Sequence, residues 1–104
     1  MQHVKDLTRA VPDRFRVVAL DERGPERTSV ELARWLDEQR RSGIPGLAFL
    51  VGEADGLPPA VVAAAHERLS LSRLTLPHQL VFVVLAEQLY RATAILNGEP
   101  YHRD

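Results

Sequence analysis

FRVVALDERGPERTSVELARWLDEQRRSGIPGLAFLV, residues 15–51, contains one complete structural unit. Phe15-Arg16-Val17-Val18-Ala19-Leu20 and Leu47-Ala48-Phe49-Leu50-Val51 are largely continuous apolar runs, each closing on turn-prone residues, 21–25 and 52–56. Runs without polar alternation predict strands buried on both faces, as in a parallel sheet. Between them, Thr28-Ser29-Val30-Glu31 has the Ser/Thr-x-x-Glu form, in which two side chains satisfy backbone N–H groups left bare at a helix start. Leu32, Trp35, Leu36 and Gln39 then follow helical spacing, and Gly43 with Pro45 ends the helix. Strand, helix, strand in that order predicts a β-α-β unit and an α/β fold class.

Working outward, Gly56-Leu57-Pro58-Pro59 opens a second helix, since proline is tolerated in a first helical turn. Its inward stripe is expected to be Val61, Val62, Ala65 and Leu69. Leu74-Thr75-Leu76 predicts a brief third strand, stopped by Pro77. From Gln79 to about Leu96 the chain reads as helix, apolar nearly all round up to Ala86 and more polar after Glu87. A helix apolar on every side has to be covered on every side, and in so short a chain a second copy is the expected cover. Residues 1–12 predict the remainder of a helix ending at Val11-Pro12. In the tail, 97–104, two helix breakers precede three side chains with chemical capability, Tyr101, His102 and Arg103; terminal residues are otherwise usually inert.

Composition narrows the function classes. The chain has 104 residues, 45% of them apolar, which fits a single domain over 1–104. With no cysteine, disulfides and Cys-based zinc or redox sites are excluded. The four histidines, His3, His66, His78 and His102, are too scattered to suggest a metal site; His66 is expected on a helix surface. The apolar run Leu80 to Ala86 is too short to span a bilayer, and the N-terminus lacks a signal-peptide layout, so no membrane and a cytoplasmic location are expected. A net charge of −1 argues against salt-driven binding to free nucleic acid through a large basic surface. Yet the 13 basic side chains are twelve arginines and one lysine, and arginine suits planar contact with phosphates or carboxylates.

In open α/β sheets ligands bind beyond the carboxyl ends of the strands. Three loops qualify: 20–24, 52–56 and 70–78. No Walker lysine pattern, G-x-G-x-x-G, H-E-x-x-H or G-x-S-x-G occurs. However, Leu20-Asp21, Gly52 to Leu57, Leu69-Ser70-Leu71-Ser72-Arg73-Leu74-Thr75-Leu76-Pro77-His78, Ala86-Glu87-Gln88-Leu89-Tyr90-Arg91-Ala92 and Pro100-Tyr101-His102-Arg103-Asp104 stand in order along the chain. From about residue 14 to the end, this series resembles the RlmH family of SPOUT-class methyltransferases.

The resemblance implies a trefoil-knotted parallel sheet flanked by helices. It also implies an S-adenosylmethionine-dependent enzyme, a homodimer, that methylates N3 of a pseudouridine in large-subunit ribosomal RNA within the assembled ribosome. It places the cofactor against Leu20, the Gly52-Glu53 turn, and Ser72, Arg73, Leu74, Thr75, Leu76 and Pro77. Catalysis would fall to the tail of the other protomer: Arg103 to stabilise charge, His102 or a water to accept a proton, Tyr101 to stack on a base. His78 is expected to support the loop, and Glu87 to pair with Arg91 or touch substrate. Two departures stand out. Family members start with a further β-α-β segment, which this chain lacks, and their glycine loop reads Gly-Gly-x-x-Gly, whereas here Glu53 takes the second position. A shortened, non-catalytic knotted dimer binding RNA or protein is therefore the alternative expectation.

Overall fold

A computed structural model describes residues 11–52 and 56–103. Three parallel strands, β1 (Arg16–Leu20), β2 (Leu47–Leu50) and β3 (Glu67–Leu69), form a sheet in the order β2-β1-β3. Helix α1 (Ser29–Arg41) joins β1 to β2, α2 (Pro59–Ala64) joins β2 to β3, and α3 (His78–Leu96) follows. Arg16 lies opposite Leu47, and Leu20 opposite Leu69. The chain thus leaves β1 to one side, then crosses back to the other, which makes the carboxyl end of β1 a topological switch point.

The predicted β-α-β unit is present, and its helix starts as the sequence dictates. The Thr28 hydroxyl accepts from the Glu31 N–H at 3.1 Å, while the Glu31 carboxylate accepts from the Thr28 N–H at 2.8 Å. Those bonds hold the Glu31 carboxyl below its ordinary value, the Thr28 backbone bond foremost. Val18, Leu32, Trp35 and Leu69 make the centre of the core, with Leu20, Leu36, Leu47, Phe49 and Leu71 packed around it. The Arg27 guanidinium lies 5.0 Å from the centre of the Trp35 ring, so the indole edge left outside the core meets a cation.

Four expectations are corrected. The second helix stops at Ala64 rather than running to Leu69, and the third strand is Glu67–Leu69 rather than 74–76, which is loop. Leu69 is indeed buried, but as a strand residue whose carbonyl accepts from Asp21 N–H at 3.0 Å. His66 is not on a helix. Its Nδ1 accepts from Val17 N–H at 2.8 Å and its own N–H donates to Val17 carbonyl at 3.0 Å, so it terminates the turn and starts the pairing of β3 with β1. Finally, β2 is only half-buried along its length, because it is an edge strand. A continuous apolar run does not distinguish an edge from a centre.

Helix α3 packs on α1, and Ser29 Oγ donates to Gln88 Oε1 at 2.6 Å between them. Only Leu85, Ala92 and Ala94 of α3 are fully buried, whereas Phe82 and Val83 are 54% and 63% exposed. Among the described residues, α3 alone is long and apolar enough to cross a membrane, with a mean hydropathy of 1.3. The seven-residue apolar run had hidden this, because Tyr90, Ala92 and Ala94 extend the helix past Glu87.

Candidate functional site

The carboxyl ends of the strands enclose a cavity lined by Leu20, Asp21 and Glu22 after β1, Val51, Gly52 and Gly56 after β2, and Leu71, Ser72, Leu74, Thr75 and Leu76 after β3. Val81, in the first turn of α3, closes one side. Each wall has a local cause. Gly52 runs so close to the next turn that an added Cβ would collide with backbone atoms of Gly56 and Leu57. Gly56 has a φ of +81°, in the region glycine alone enters without strain. In the third loop, Ser70 Oγ donates to the Ser72 carbonyl at 3.0 Å, and Ser72 Oγ accepts from Leu74 N–H at 3.0 Å. Two serine hydroxyls thus shape the loop from within, as short polar side chains do in turns.

That loop is also clasped to the one after β1. Ser70 N–H donates to the Pro25 carbonyl at 3.0 Å, Arg73 Nε to Glu26 at 2.9 Å, and Thr75 Oγ1 to Glu22 at 3.1 Å. Residues 74–76 are therefore held as part of the wall by side-chain bonds such as that of Thr75, without pairing into the sheet. A polar loop precedes the apolar helix because it must bond sideways to a neighbouring loop and leave its leucines facing the cavity.

The cavity is amphipathic. Six aliphatic side chains, Leu20, Val51, Leu71, Leu74, Leu76 and Val81, face two carboxylates, Asp21 and Glu22. Among the described residues no lysine or arginine lines it, so these walls favour a cation or a hydroxyl-bearing ligand over a phosphate. It holds about 160 Å³, less than the roughly 300–1,000 Å³ of pockets that enclose a drug-sized ligand. The described walls of one chain thus surround only part of a molecule that large.

Of the expected cofactor contacts, Leu20, Gly52, Ser72, Leu74, Thr75 and Leu76 come together here. Arg73 points out to Glu26, and Pro77 caps the start of α3; neither side chain lines the wall. Glu53 lies outside the described residues. Asp21, Glu22, Val51, Gly56, Leu71 and Val81 also line the cavity though they were not among the expected cofactor contacts; Asp21, Glu22, Gly56 and Leu71 sit in the loops the strand-end rule indicated.

Tyr101, His102 and Arg103 do not line the cavity; Tyr101 and His102 are bonded to Glu87 and Arg91 of α3. Tyr101 hydroxyl donates to Glu87 Oε2 at 2.8 Å, and its ring stands edge-on to Tyr90 with centroids 4.9 Å apart. Arg91 reaches the same carboxylate at 2.7 Å. The Arg91 bond, then the Tyr101 bond, hold the Glu87 carboxyl below its usual range, and the bond to Glu87 raises the Tyr101 phenol above its own. Glu87 thus pairs with Arg91, one of the two expected outcomes. His78 begins α3, its ring edge-on to Phe82 at 6.3 Å. Glu87 and Arg91 are six and ten residues beyond Val81, about 9 and 15 Å along the helix at ~1.5 Å per residue. One chain therefore displays the cavity and the tail chemistry as two separate groups.

Comparison with known proteins adds to this geometry. A family model described as "Predicted SPOUT methyltransferase" matches residues 1–102, further toward the N-terminus than the motifs had suggested. The protein named ribosomal RNA large subunit methyltransferase H from Thiobacillus denitrificans is 50% identical over 104 residues, all of this chain and 65% of the relative. The protein of the same name from Cupriavidus metallidurans is 56% identical over 88 residues, 85% of this chain and 55% of its own. That from Geobacter metallireducens is 50% identical over 96 residues, 92% of this chain and 62% of its own. The chain thus spans 55–65% of the length of these relatives.

Proposed function

The chain belongs to the SPOUT methyltransferase family, and on that premise we propose that it is an S-adenosylmethionine-dependent methyltransferase acting on N3 of a pseudouridine in large-subunit ribosomal RNA. The observation that carries this reading is the acidic, apolar cavity at the switch point. Its aliphatic wall suits an adenine face, its carboxylates suit ribose hydroxyls and a positively charged sulfonium, and the missing Cβ of Gly52 lets the turn at Gly56 and Leu57 pack close and form that wall. S-adenosylmethionine would supply a sulfonium-activated methyl group there. The protein's own task is then to orient donor and acceptor and to balance charge as the acceptor nitrogen gives up its proton.

The tail groups can serve that task only from another chain. The small cavity, the distance along α3 and the outward Leu80, Phe82 and Val83 support a homodimer in which the tail of one protomer completes the pocket of the other. There Arg103 stabilises the anionic base and Tyr101 stacks on it. The substrate places the protein on the ribosome, in the cytoplasm. Helix α3 carries an ion pair near its midpoint, an expensive feature in hydrocarbon, and so serves as an interface between proteins.

Titration calorimetry with S-adenosylmethionine, then mass spectrometry of ribosomal RNA from cells with and without the gene, tests the reading. Saturable binding and one lost methyl group on a pseudouridine are expected. A folded dimer that binds no S-adenosylmethionine would instead support the non-catalytic alternative.

A further inference from the structure

The tail lies along α3 through one fork of hydrogen bonds. Arg91 Nη2 and Nε donate to the two Glu87 oxygens at 2.7 and 3.3 Å, while Arg91 Nη1 lies 3.1 Å from His102 Nδ1. The same guanidinium is 4.7 Å from the centre of the Tyr101 ring. Glu87 takes a further bond from Tyr101, and one from Gln88 Nε2 at 2.9 Å. Arg91 thus contacts both residues that precede Arg103, and Glu87 fixes Arg91.

An arginine has five N–H donors and no acceptor, and does not lose its charge in proteins. A ring nitrogen bonded to it must therefore present a lone pair. A ring that takes this bond on Nδ1 is the tautomer with its proton on Nε2. In that tautomer Nε2 can donate a hydrogen bond but cannot accept a proton.

Resting on the methyltransferase reading, we propose that Glu87 and Arg91 are positioning residues that lay the tail along α3 and hold His102 as a neutral hydrogen-bond donor rather than a base. The acceptor base would then lose its proton to water, and His102 would donate to a carbonyl oxygen of the anion so formed. Lysine cannot replace Arg91, because a point charge cannot bond Glu87 twice and His102 at once.

Long-range ¹H–¹⁵N correlation spectra of the wild-type, full-length protein near pH 7.5 read the tautomer directly. An unprotonated Nδ1 and a protonated Nε2 are expected; a proton on Nδ1, or a doubly protonated ring, overturns the proposal. Kinetics give a second readout. Glutamine can place an amide N–H near the position of Nε2 but cannot act as a base, so His102→Gln should keep kcat within about tenfold of wild type, where His102→Ala loses about 100-fold or more. Arg91→Lys should lower kcat about 10–100-fold with S-adenosylmethionine affinity unchanged, the loss expected of misplaced groups. Equal inactivity of His102→Gln and His102→Ala, or full activity of Arg91→Lys, also overturns it. If wild type neither binds S-adenosylmethionine nor methylates ribosomes, the functional reading fails, while the spectra still decide the tautomer.

Discussion

Gly52 has no room for a side chain, and the obstruction is backbone rather than a flexible neighbour that could move aside. Gly52→Ala must therefore shift the turn at Gly56, a wall of the cavity. S-adenosylmethionine binding should weaken at least about tenfold, some 1.4 kcal/mol, in a protein whose circular dichroism is unchanged; calorimetry checks this. A glycine followed four residues later by another suggested a ligand loop in the sequence. The cause was not legible there, since a close approach between residues is visible only in three dimensions. Leu69 shows the opposite case. Its burial was legible but its element was not, because one apolar residue fits a helical stripe and a buried strand equally well. At 2% exposure between β1 and α1, Leu69→Ala should cost about 2–5 kcal/mol, seen as a lower urea midpoint at constant slope.

At the scale of elements, local rules served best where the signal was self-contained. The start of α1 is fixed by two side chains three residues apart, and Thr28→Ala should cost about 1 kcal/mol, measured by urea unfolding. The start of α2 was legible, but its end at Ala64 and the strand β3 that follows were not, because what ends that helix is long-range: His66 bonds Val17, 49 residues away in the chain. Helix α3 carries the pH dependence. Glu87 faces Arg91, Gln88 and Tyr101, and Tyr101 faces Tyr90 and Arg91 as well. Because the folded Glu87 carboxyl is lowered, its contribution to tail docking is complete above the ordinary glutamate value near ~4.3, and disappears as pH falls through the lowered one. The raised Tyr101 phenol acts in reverse, contributing fully below the ordinary value near ~10 and failing as pH rises past the raised one. Tyr101 ring resonances should therefore report a docked tail across the neutral range and a released one at both extremes. A tail released already at neutral pH would refute the network.

For the molecule as a whole, the apolar outer face of α3 was the most informative long-range feature of the sequence, since it required a cover that one chain does not provide. The structure refines which residues need it. Val84 lines a groove beside Leu32 and Gln88 under the start of α1, so a charge there would disturb the fold itself. Phe82 and Val83 are exposed, and Leu74, which shares the cavity wall with their neighbour Val81, is 73% exposed. A partner seated on α3 would thus bury both the helix face and the open flank of the pocket, coupling assembly to cofactor binding. If the proposed homodimer forms through this face, Phe82→Asp and Val83→Asp should each give folded monomer in sedimentation velocity, and weaken S-adenosylmethionine binding together with it. A variant that stays dimeric places the interface on another face. One that becomes monomeric yet binds S-adenosylmethionine undiminished shows that each pocket is complete within its own chain, and then the tail must reach substrate without crossing between protomers.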